Sequence, residues 1–328
     1  MLIGFDIGGT KCAVSLGEAR DGGFAVADKI RLPTAGAPLA MLDALTEAAR
    51  AMLARRGASL GEAEAIGVSC GGPLSAARGV VLSPPNLPGW DAVPVVEYLT
   101  ARTGLPAALE NDANACAVAE WRWGAGRGTR NMIFLTFGTG LGAGLIVDGR
   151  LYRGATENAG EIGHVRLTPD GPVGYGKAGS CEGWCSGGGI ARLARRMAEE
   201  DARGAAPLLA SLGGDPERIT AAAVARLAEA APGDPFCRAV YERSGAMLGR
   251  TLAILADVLD PERIVIGSIF ARSEALLRAA MEETLRAEAL TAPQIVPAAL
   301  GEAIGDYAAL AVAAGAAEMK RENGGKRS

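Results

Sequence analysis

The sequence of 328 residues contains a single histidine, His164. This scarcity excludes a metal centre built from several histidines, and any Ser-His-Asp or Cys-His catalysis would have to use that one imidazole. Long apolar runs are also absent, since none reaches the roughly 18 residues that a membrane helix needs. Glycine interrupts the longest candidate, 132–147. We therefore expect no membrane association.

Basic charge is not in excess. The chain has 33 Lys and Arg against 37 Asp and Glu, a formal net charge of −4, and a pI of about 5.4. Nucleic-acid binding requires a concentrated field of Lys and Arg, so we expect no nucleic-acid partner. The opening strand-like run carries Asp6 and Lys11, which is unlike a signal peptide. We expect a cytoplasmic protein.

The six cysteines do not form the spacing pattern of a disulfide framework. They are scattered among apolar neighbours, which predicts reduced and buried thiols. They are Cys12, Cys70, Cys116, Cys181, Cys185 and Cys237.

Apolar residues (49%) and glycine (46 residues) are abundant, as is typical of α/β proteins. The length exceeds one ordinary compact core and favours two domains with a cleft between them. We predict a smaller N-terminal α/β domain over 1–112 plus about 303–328, and a larger C-terminal α/β domain over 113–302.

Apolar periodicity predicts helices and short strands in both halves. The predicted helices cover 38–56, 189–200, 220–231, 234–259 and 306–320. The predicted strands cover 65–70, 106–109 and 263–268. Three prolines between Pro84 and Trp90 remove amide donors and fix the backbone, so this segment should be an ordered loop with Trp90 packed beneath it.

Two similar segments, 2–16 and 132–147, each predict a strand, a glycine-rich turn and a returning strand. Glycine lets backbone N–H groups approach an anion without an intervening side chain, so such turns can bind phosphates. A tight hairpin without a ligand is the alternative for either turn alone. Neither turn has the Walker A pattern. The turn residues are Gly8, Gly9, Thr10 and Lys11, and Gly138, Thr139 and Gly140.

Asp6 precedes the first turn, where a carboxylate beside phosphates is electrostatically costly unless a cation is present. A magnesium ion held through water would remove that cost. These residues therefore predict a phosphate-bearing ligand accompanied by Mg²⁺.

A second acidic position follows the predicted strand 106–109. Asp112 stands at the start of an Ala-rich helix, where a carboxylate can accept the proton of a hydroxyl as it attacks phosphorus. Helix N-capping by Asn111 or Asp112 is the alternative. Glu110 and Asn114 add more polar groups than a cap needs.

Glu161 and His164 lie three residues apart, so one helical turn would let both reach the same ligand. His164 could instead be a satisfied core residue or a zinc ligand.

With these residues in view, the chain resembles the ROK family of repressors, uncharacterised reading frames and sugar kinases, which belongs with hexokinases and actin. The resemblance covers nearly the whole chain. It runs through Asp6-Ile7-Gly8-Gly9-Thr10-Lys11, Pro85-Asn86-Leu87-Pro88-Gly89-Trp90, Glu110-Asn111-Asp112-Ala113-Asn114, Gly138-Thr139-Gly140-Leu141-Gly142, Ala159-Gly160-Glu161-Ile162-Gly163-His164, Glu182 and Ser186-Gly187.

The resemblance implies two ribonuclease-H-like domains around a cleft that binds ATP and a sugar. It makes Asp112 the general base. It assigns contacts with the sugar to Gly72, Asn111, Asp112, Glu161, His164 and Glu182. It places Gly267 in the adenosine-side turn, although Ser268 and Ile269 stand where relatives have two more glycines.

Many relatives bind a structural zinc with the histidine and three cysteines. The three cysteine positions are Val173, Tyr175 and Ser180 in this chain. Cys181 and Cys185 lie nearby but at unmatched spacing, so structural zinc is not expected and both are interpreted as core residues.

Two other functions are open. A sugar-sensing regulator would carry a winged helix-turn-helix before the first glycine-rich turn, and here that turn lies close to the first residue of the sequence. An ATPase or acid kinase would lack the set formed by Glu161, His164 and Glu182. Among sugars, glucose phosphorylated at its 6-hydroxyl is the first choice, and N-acetylmannosamine, N-acetylglucosamine or fructose are alternatives. A homodimer is expected by analogy.

Overall fold

A computed structural model describes residues 1–20 and 23–325. The chain forms two compact units. Unit 1 comprises Met1–Gly128, Gly154–Glu157 and the segment from Glu302 onward, and unit 2 comprises Thr129–Arg153 and Asn158–Gly301.

The secondary structure alternates between strands and helices. The strands are β1 (Leu2–Ile7), β2 (Lys11–Arg20), β3 (Gly23–Pro33), β4 (Ala65–Cys70), β5 (Leu74–Ser75), β6 (Val80–Val81), β7 (Ala107–Asn111), β8 (Met132–Phe137), β9 (Leu141–Val147), β10 (Arg150–Tyr152), β11 (Val173–Gly174), β12 (Lys177–Ala178), β13 (Arg263–Ile266) and β14 (Gln294–Pro297). The helices are α1 (Pro38–Arg55), α2 (Val95–Thr103), α3 (Asp112–Trp123), α4 (Cys181–Trp184), α5 (Gly187–Glu200), α6 (Ala206–Ser211), α7 (Ala221–Glu229), α8 (Pro235–Leu259), α9 (Ile269–Glu288) and α10 (Ile304–Gly325).

Unit 1 is built on a five-stranded sheet with the order β3-β2-β1-β4-β7. β1 and β2 are antiparallel, whereas β1, β4 and β7 are parallel. The register aligns Ile7 with Cys70 and Cys70 with Asn111. The carboxyl ends of three strands therefore meet at one edge, which is where an α/β sheet positions functional side chains.

Helix α10 packs on β4 at a very short distance. A Cβ atom placed on Gly67 would lie 2.1 Å from the carbonyl oxygen of Ala309 and 2.2 Å from the amide nitrogen of Ala313. The alanines of this helix face are fully buried. Small residues on both elements are therefore what allows the helix to lie against the strand.

Unit 2 repeats the design with the order β10-β9-β8-β13-β14. β8 and β9 are antiparallel, and β8, β13 and β14 are parallel. The prediction that each half starts with a strand, a turn and a returning strand is confirmed.

Most predicted elements are present with ends shifted by a few residues. The helices that correspond to the five predictions are α1, α5, α7, α8 and α10, and the strands are β4, β7 and β13. Trp90 is 2% exposed and belongs to the core of unit 1, as predicted. The elements that were not predicted include α2, α9, β3 and β14.

The compact units differ from the predicted domains at residues 113–128 and 154–157, which belong to unit 1. The sequence placed the first boundary after Asp112, whereas unit 1 continues to Gly128 and includes α3. The reason is that α3 packs on α10, which belongs to the same unit. Within residues 1–20 and 23–325, no helix is both long enough and apolar enough to cross a membrane.

Candidate active site

Asp6 lies at the carboxyl end of β1, half-buried, beside two other carboxylates of unit 1. Burial, followed by the negative charges of Asp306 and Asp112, raises the pKa of Asp6 from 3.8 to about 6, and Lys29 and Lys11 oppose the shift. A Cβ atom on Gly305 would lie 2.8 Å from Asp6 Oδ2, so the carboxylate abuts the first turn of α10. A cation at this position would relieve the repulsion between the carboxylates.

Asp306 is held by two partners from the antiparallel strands. Ser15 Oγ donates a hydrogen bond to its Oδ1 at 2.7 Å, and Lys29 Nζ forms an ion pair with its Oδ2. Asp306 is only 3% exposed, so this pairing satisfies a buried charge near Asp6.

The first glycine-rich turn is closed by short contacts. Gly8 N donates to Lys11 O at 3.2 Å, and Thr34 Oγ1 donates to Gly8 O at 2.6 Å. A Cβ atom on Gly9 would lie 2.2 Å from Asn86 O, so the proline-rich loop rests on this glycine. Gly9, Thr10 and Lys11 are exposed, which leaves the turn accessible to a ligand.

Asn111, not Asp112, caps helix α3. Asn111 Oδ1 accepts hydrogen bonds from Ala113 N at 2.9 Å and Asn114 N at 3.4 Å. Asp112 Oδ1 accepts from Ala113 N at 2.8 Å, and its Oδ2 lies 4.0 Å from the position of a Cβ on Gly71. Asn111 therefore performs the capping role that the sequence left open between the two residues. Asp112 is an exposed residue at the edge of the sheet.

The pKa of Asp112 is raised above its ordinary value, chiefly because the surrounding protein displaces water from the carboxylate. Hydrogen bonds from Ala113 and Asn111 act in the opposite direction. A raised pKa makes the carboxylate a better proton acceptor near neutral pH.

Gly72 and the polar residues around Asp112 complete this edge. A Cβ atom on Gly72 would lie 3.6 Å from Asn111 Nδ2. Asn114 Nδ2 donates to Glu110 Oε1 at 3.1 Å, and both residues are buried. This bond joins the end of β7 to α3, so it fixes the strand-to-helix turn that carries Asp112.

In unit 2 the second glycine-rich turn lies against Glu182. A Cβ atom on Gly140 would lie 2.7 Å from Glu182 Oε2, and the same oxygen accepts a hydrogen bond from Leu141 N at 3.2 Å. Gly187 N donates to Gly138 O at 2.8 Å, which attaches the turn to the first residue of α5. The predicted Gly138, Thr139, Gly140 and Glu182 are therefore in one place.

Glu161 precedes a short 3₁₀ helix, Ile162–His164, and His164 is its last residue. Both side chains belong to exposed residues. The ring of Tyr175 meets the His164 ring edge-on, with centroids 5.5 Å apart at 86°. The nearby charges of Glu161 and, less strongly, Glu182 raise the pKa of Tyr175. Glu161, His164 and Glu182 thus share one neighbourhood, as predicted, and Tyr175 belongs to it.

Gly267 lies where β13 ends, and its N donates to Leu135 O at 2.9 Å. Ser268, in place of a glycine, has a positive φ of 54°, which costs backbone strain for a side chain. Its Oγ lies 3.7 Å from the position of a Cβ on Gly138. The turn after β13 therefore adjoins the second glycine-rich turn.

The six cysteines are free, and the two near His164 in sequence are fully buried in the core of unit 2. Cys181 Sγ accepts a hydrogen bond from Thr251 Oγ1 at 3.5 Å. Among the residues that the structure describes, no three His, Cys, Asp or Glu side chains are arranged to hold a metal ion. The core interpretation of Cys181 and Cys185 is confirmed.

Sequence reasoning did not single out four residues of these two neighbourhoods: Lys29, Asp306, Tyr175 and Lys177. Lys29 and Asp306 are distant in sequence from Asp6, and nothing in their local pattern marks them. Tyr175 stands out in the sequence only as the replacement of one of the family's cysteines, and nothing in the local pattern marks Lys177.

The chain is similar to known proteins over most of its length. The sequence pattern of the ROK family matches residues 2–316. The chain is 36% identical to the glucokinase of Streptomyces coelicolor over 269 residues, 81% of each chain, and 30% identical to the N-acetylmannosamine kinase of Salmonella typhi over 302 residues, 92% of each. The crystal structure of a ROK family glucokinase from Streptomyces griseus, in complex with glucose and AMPPNP, aligns with a TM-score of 0.74 and 31% identity over 96% of this chain and 99% of that chain.

Proposed function

The chain belongs to the ROK family and is an ATP-dependent sugar kinase of the actin-like ATPase fold, and we propose that its acceptor is the 6-hydroxyl of glucose. The observation that carries the proposal is that Asp112 is an exposed residue at the carboxyl edge of the unit 1 sheet, next to Asn111, which is the residue that caps helix α3. The glucokinase relatives at 36% identity support glucose as the sugar.

In the proposed mechanism Asp112 accepts the hydroxyl proton as the sugar oxygen bonds to the γ-phosphorus of ATP, while the bond from that phosphorus to the bridging oxygen breaks and ADP leaves. General-base help of this kind contributes roughly 10²- to 10⁴-fold to the rate. The hydrogen bond between Asn114 and Glu110 keeps the start of α3 in place, so the carboxylate does not have to be oriented during the reaction. Asn111 and the backbone at Gly72 are the unit 1 candidates for contact with the sugar.

The ATP phosphates would be bound in unit 1 by the backbone amides of Gly8 and Gly9 with Thr10 and Lys11. A magnesium ion fits the surroundings of Asp6, where burial and then the charges of Asp306 and Asp112 raise the pKa of Asp6 to about 6, and Asp6 would hold the ion through water. Bound there, the ion would neutralise charge on the phosphates. Asp306 would be kept from competing for it by its own ion pair with Lys29.

In unit 2 we assign phosphate contacts to the turn at Gly138, Thr139 and Gly140, and adenosine contact to Gly267. Sugar hydroxyls are assigned to Glu161, His164 and Glu182. Because Glu182 also accepts a hydrogen bond from Leu141 N, it links the sugar-binding residues of this unit to its glycine-rich turn.

An N-acetylated hexosamine is the second candidate substrate, favoured by the 30% identity with an N-acetylmannosamine kinase. A homodimer and a cytoplasmic location stay predictions.

Coupled release of ADP, measured with MgATP and a panel of glucose, mannose, fructose, N-acetylglucosamine and N-acetylmannosamine, tests the proposal. We expect the highest kcat/KM with glucose. A higher value with N-acetylmannosamine would transfer the proposal to the second candidate, and no turnover with any of these sugars would reject both.

A further inference from the structure

We propose that Lys177 takes the place of a structural metal in this chain, holding the His164 imidazole by its Nδ1 atom so that Nε2–H points outward as a hydrogen-bond donor. Lys177 is a positioning residue in this proposal, since it acts through His164. The inference deepens the proposed function and rests on it only where the sugar is concerned.

The residues present do not fit a zinc ion at His164. The three positions at which the family resemblance expects cysteines are occupied by Val173, Tyr175 and Ser180, none of which supplies a thiolate. Ser180 is fully buried and its Oγ is already bonded, donating to Gly174 O at 3.0 Å and accepting from Gly183 N at 3.1 Å. The neighbouring thiols of Cys181 and Cys185 are 0% exposed, whereas His164 is exposed.

Lys177 occupies Nδ1, one of the two ring nitrogens through which an imidazole can bind a metal. Its Nζ lies 3.0 Å from His164 Nδ1 and donates to His164 O at 2.7 Å. One ammonium group therefore binds both the side chain and the main chain of the same residue, which restrains the side-chain torsions of His164. A bound metal ion restrains a histidine ligand in the same sense, as a cation on one ring nitrogen.

The contact also decides the position of the ring proton. An ammonium group is a donor with no acceptor capacity, so the atom that faces it must offer a lone pair. Nδ1 is therefore unprotonated, and a neutral imidazole carries its proton on Nε2. A proton on Nδ1 would place two donors and two positive charges 3.0 Å apart.

A two-residue hairpin puts Lys177 in this position. β11 and β12 pair antiparallel, with Gly174 opposite Lys177, and the turn between them consists of Tyr175 and Gly176. Both turn residues have positive φ, 54° and 69°, as the tightest hairpin turns require. The same turn brings the Tyr175 ring edge-on to His164.

The consequence for binding is a fixed donor. With Nδ1 engaged, Nε2–H of His164 is the ring atom that remains for a ligand, and the carboxylates of Glu161 and Glu182 lie in the same neighbourhood. A donor beside two acceptors matches vicinal sugar hydroxyls, each of which both donates and accepts. A donor that is ordered before the sugar arrives loses less freedom on binding.

Because His164 is the only histidine, nitrogen NMR can read its tautomer without assignment. Protein labelled with ¹⁵N-histidine and freed of any affinity tag should show a protonated Nε2 and an unprotonated Nδ1. In Lys177→Met both nitrogen shifts should move toward the average of the two tautomers, whereas Lys320→Met, on the exposed end of α10, should leave them unchanged. A protonated Nδ1 in the wild type, or a Lys177→Met spectrum identical to the wild type, would overturn the proposal.

Zinc provides a test that needs no variant. One equivalent of Zn²⁺ should leave the His164 nitrogen shifts of the wild type unchanged, because Lys177 already occupies Nδ1. A shift confined to Nδ1 on adding zinc would contradict the proposal even if Lys177→Met failed to fold.

Kinetics then test the link to the sugar. Lys177→Met should raise KM for the sugar roughly tenfold with kcat changed less than about threefold, the size expected for one disordered hydrogen bond. In a His164→Ala background the same change should have no further effect. Additive losses in the double variant would show that Lys177 acts on the fold and not through His164. Absence of any sugar kinase activity would reject the proposed function but leave the NMR result standing.

Discussion

Asp6 shows how unit 1 combines acidic residues that repel one another. Its carboxylate lies against Gly305, and burial, followed by the charges of Asp306 and Asp112, raises its pKa. Asp306 is neutralised by Lys29, and Asp112 lies at the sheet edge. A cation added beside Asp6 would therefore stabilise its ionised form.

Replacing Asp6 should make the ligand-free protein more stable at high pH. Because the folded pKa is raised from 3.8 to about 6, ionised Asp6 destabilises the fold progressively as pH rises through that window. The shift corresponds to roughly 3 kcal/mol, which partial exposure reduces to about 2 kcal/mol. In denaturant unfolding at pH 8 without magnesium, Asp6→Asn should exceed the wild type by about that amount, and at pH 4 the difference should be small.

A matched control is Asp148→Asn, at an exposed turn where the Asp148 side chain is 76% exposed. It should change stability by less than about 0.5 kcal/mol at either pH. Equal stability of Asp6→Asn and the wild type at pH 8 would show that ionised Asp6 does not destabilise the folded protein. Activity of Asp6→Asn should fall sharply, since the magnesium position would be lost.

At the level of elements, the packing of α10 on β4 depends on the absence of a side chain at one residue. Gly67→Ala would place a methyl group 2.1 Å from Ala309 O and 2.2 Å from Ala313 N. Both are backbone atoms, so neither can rotate away. We expect the free energy of unfolding to fall by at least about 3 kcal/mol, or the variant not to fold, because a side chain here requires the helix to move.

Gly315 on the same helix provides the control. A Cβ atom there meets nothing within 4 Å, and its φ is not in the left-handed region. Gly315→Ala should stabilise the protein by about 0.5 to 1 kcal/mol through helix propensity. If the free energy of unfolding of Gly67→Ala were no lower than that of Gly315→Ala, the account of this interface would be wrong.

The sequence was informative for elements with a continuous apolar stripe, such as α1 and α8. Helix α9 was not predicted because its stripe is interrupted at Ser273, which is buried with non-helical backbone angles. β3 is half-buried along most of its length and pairs with β2 through an irregular register at Leu16/Gly17, so its alternation is weak.

The site was predictable where residues are close in sequence, as for Asn111 with Asp112 and Glu161 with His164. The pairing of Asp306 with Lys29 depends on a sequence separation of 277 residues. The contact of Lys177 with His164 depends on Tyr175 taking a positive φ, which a residue with a Cβ rarely adopts. Neither could be inferred from local pattern.

For the whole molecule, two units with the same strand order explain why two similar glycine-rich turns occur, since each turn joins the first two strands of one sheet. Each unit has its own core. Packing within each unit therefore stabilises the fold.

Dialysis against a strong chelator, followed by return of magnesium, should leave Tm within about 1 °C of its starting value. The physical reason is that His164 is held by Lys177 and that Cys181 and Cys185 are enclosed in the core. A fall in Tm that zinc alone reverses would contradict this expectation.

The central claim is that Asp112 is the base of an ATP-dependent sugar kinase, and the most direct test is turnover by Asp112→Asn with glucose and MgATP. We predict that kcat falls roughly 10²- to 10⁴-fold while the sugar Kd, measured by calorimetry, changes less than about fivefold, because the amide keeps the shape but cannot take the proton. Turnover within about threefold of the wild type would contradict the account.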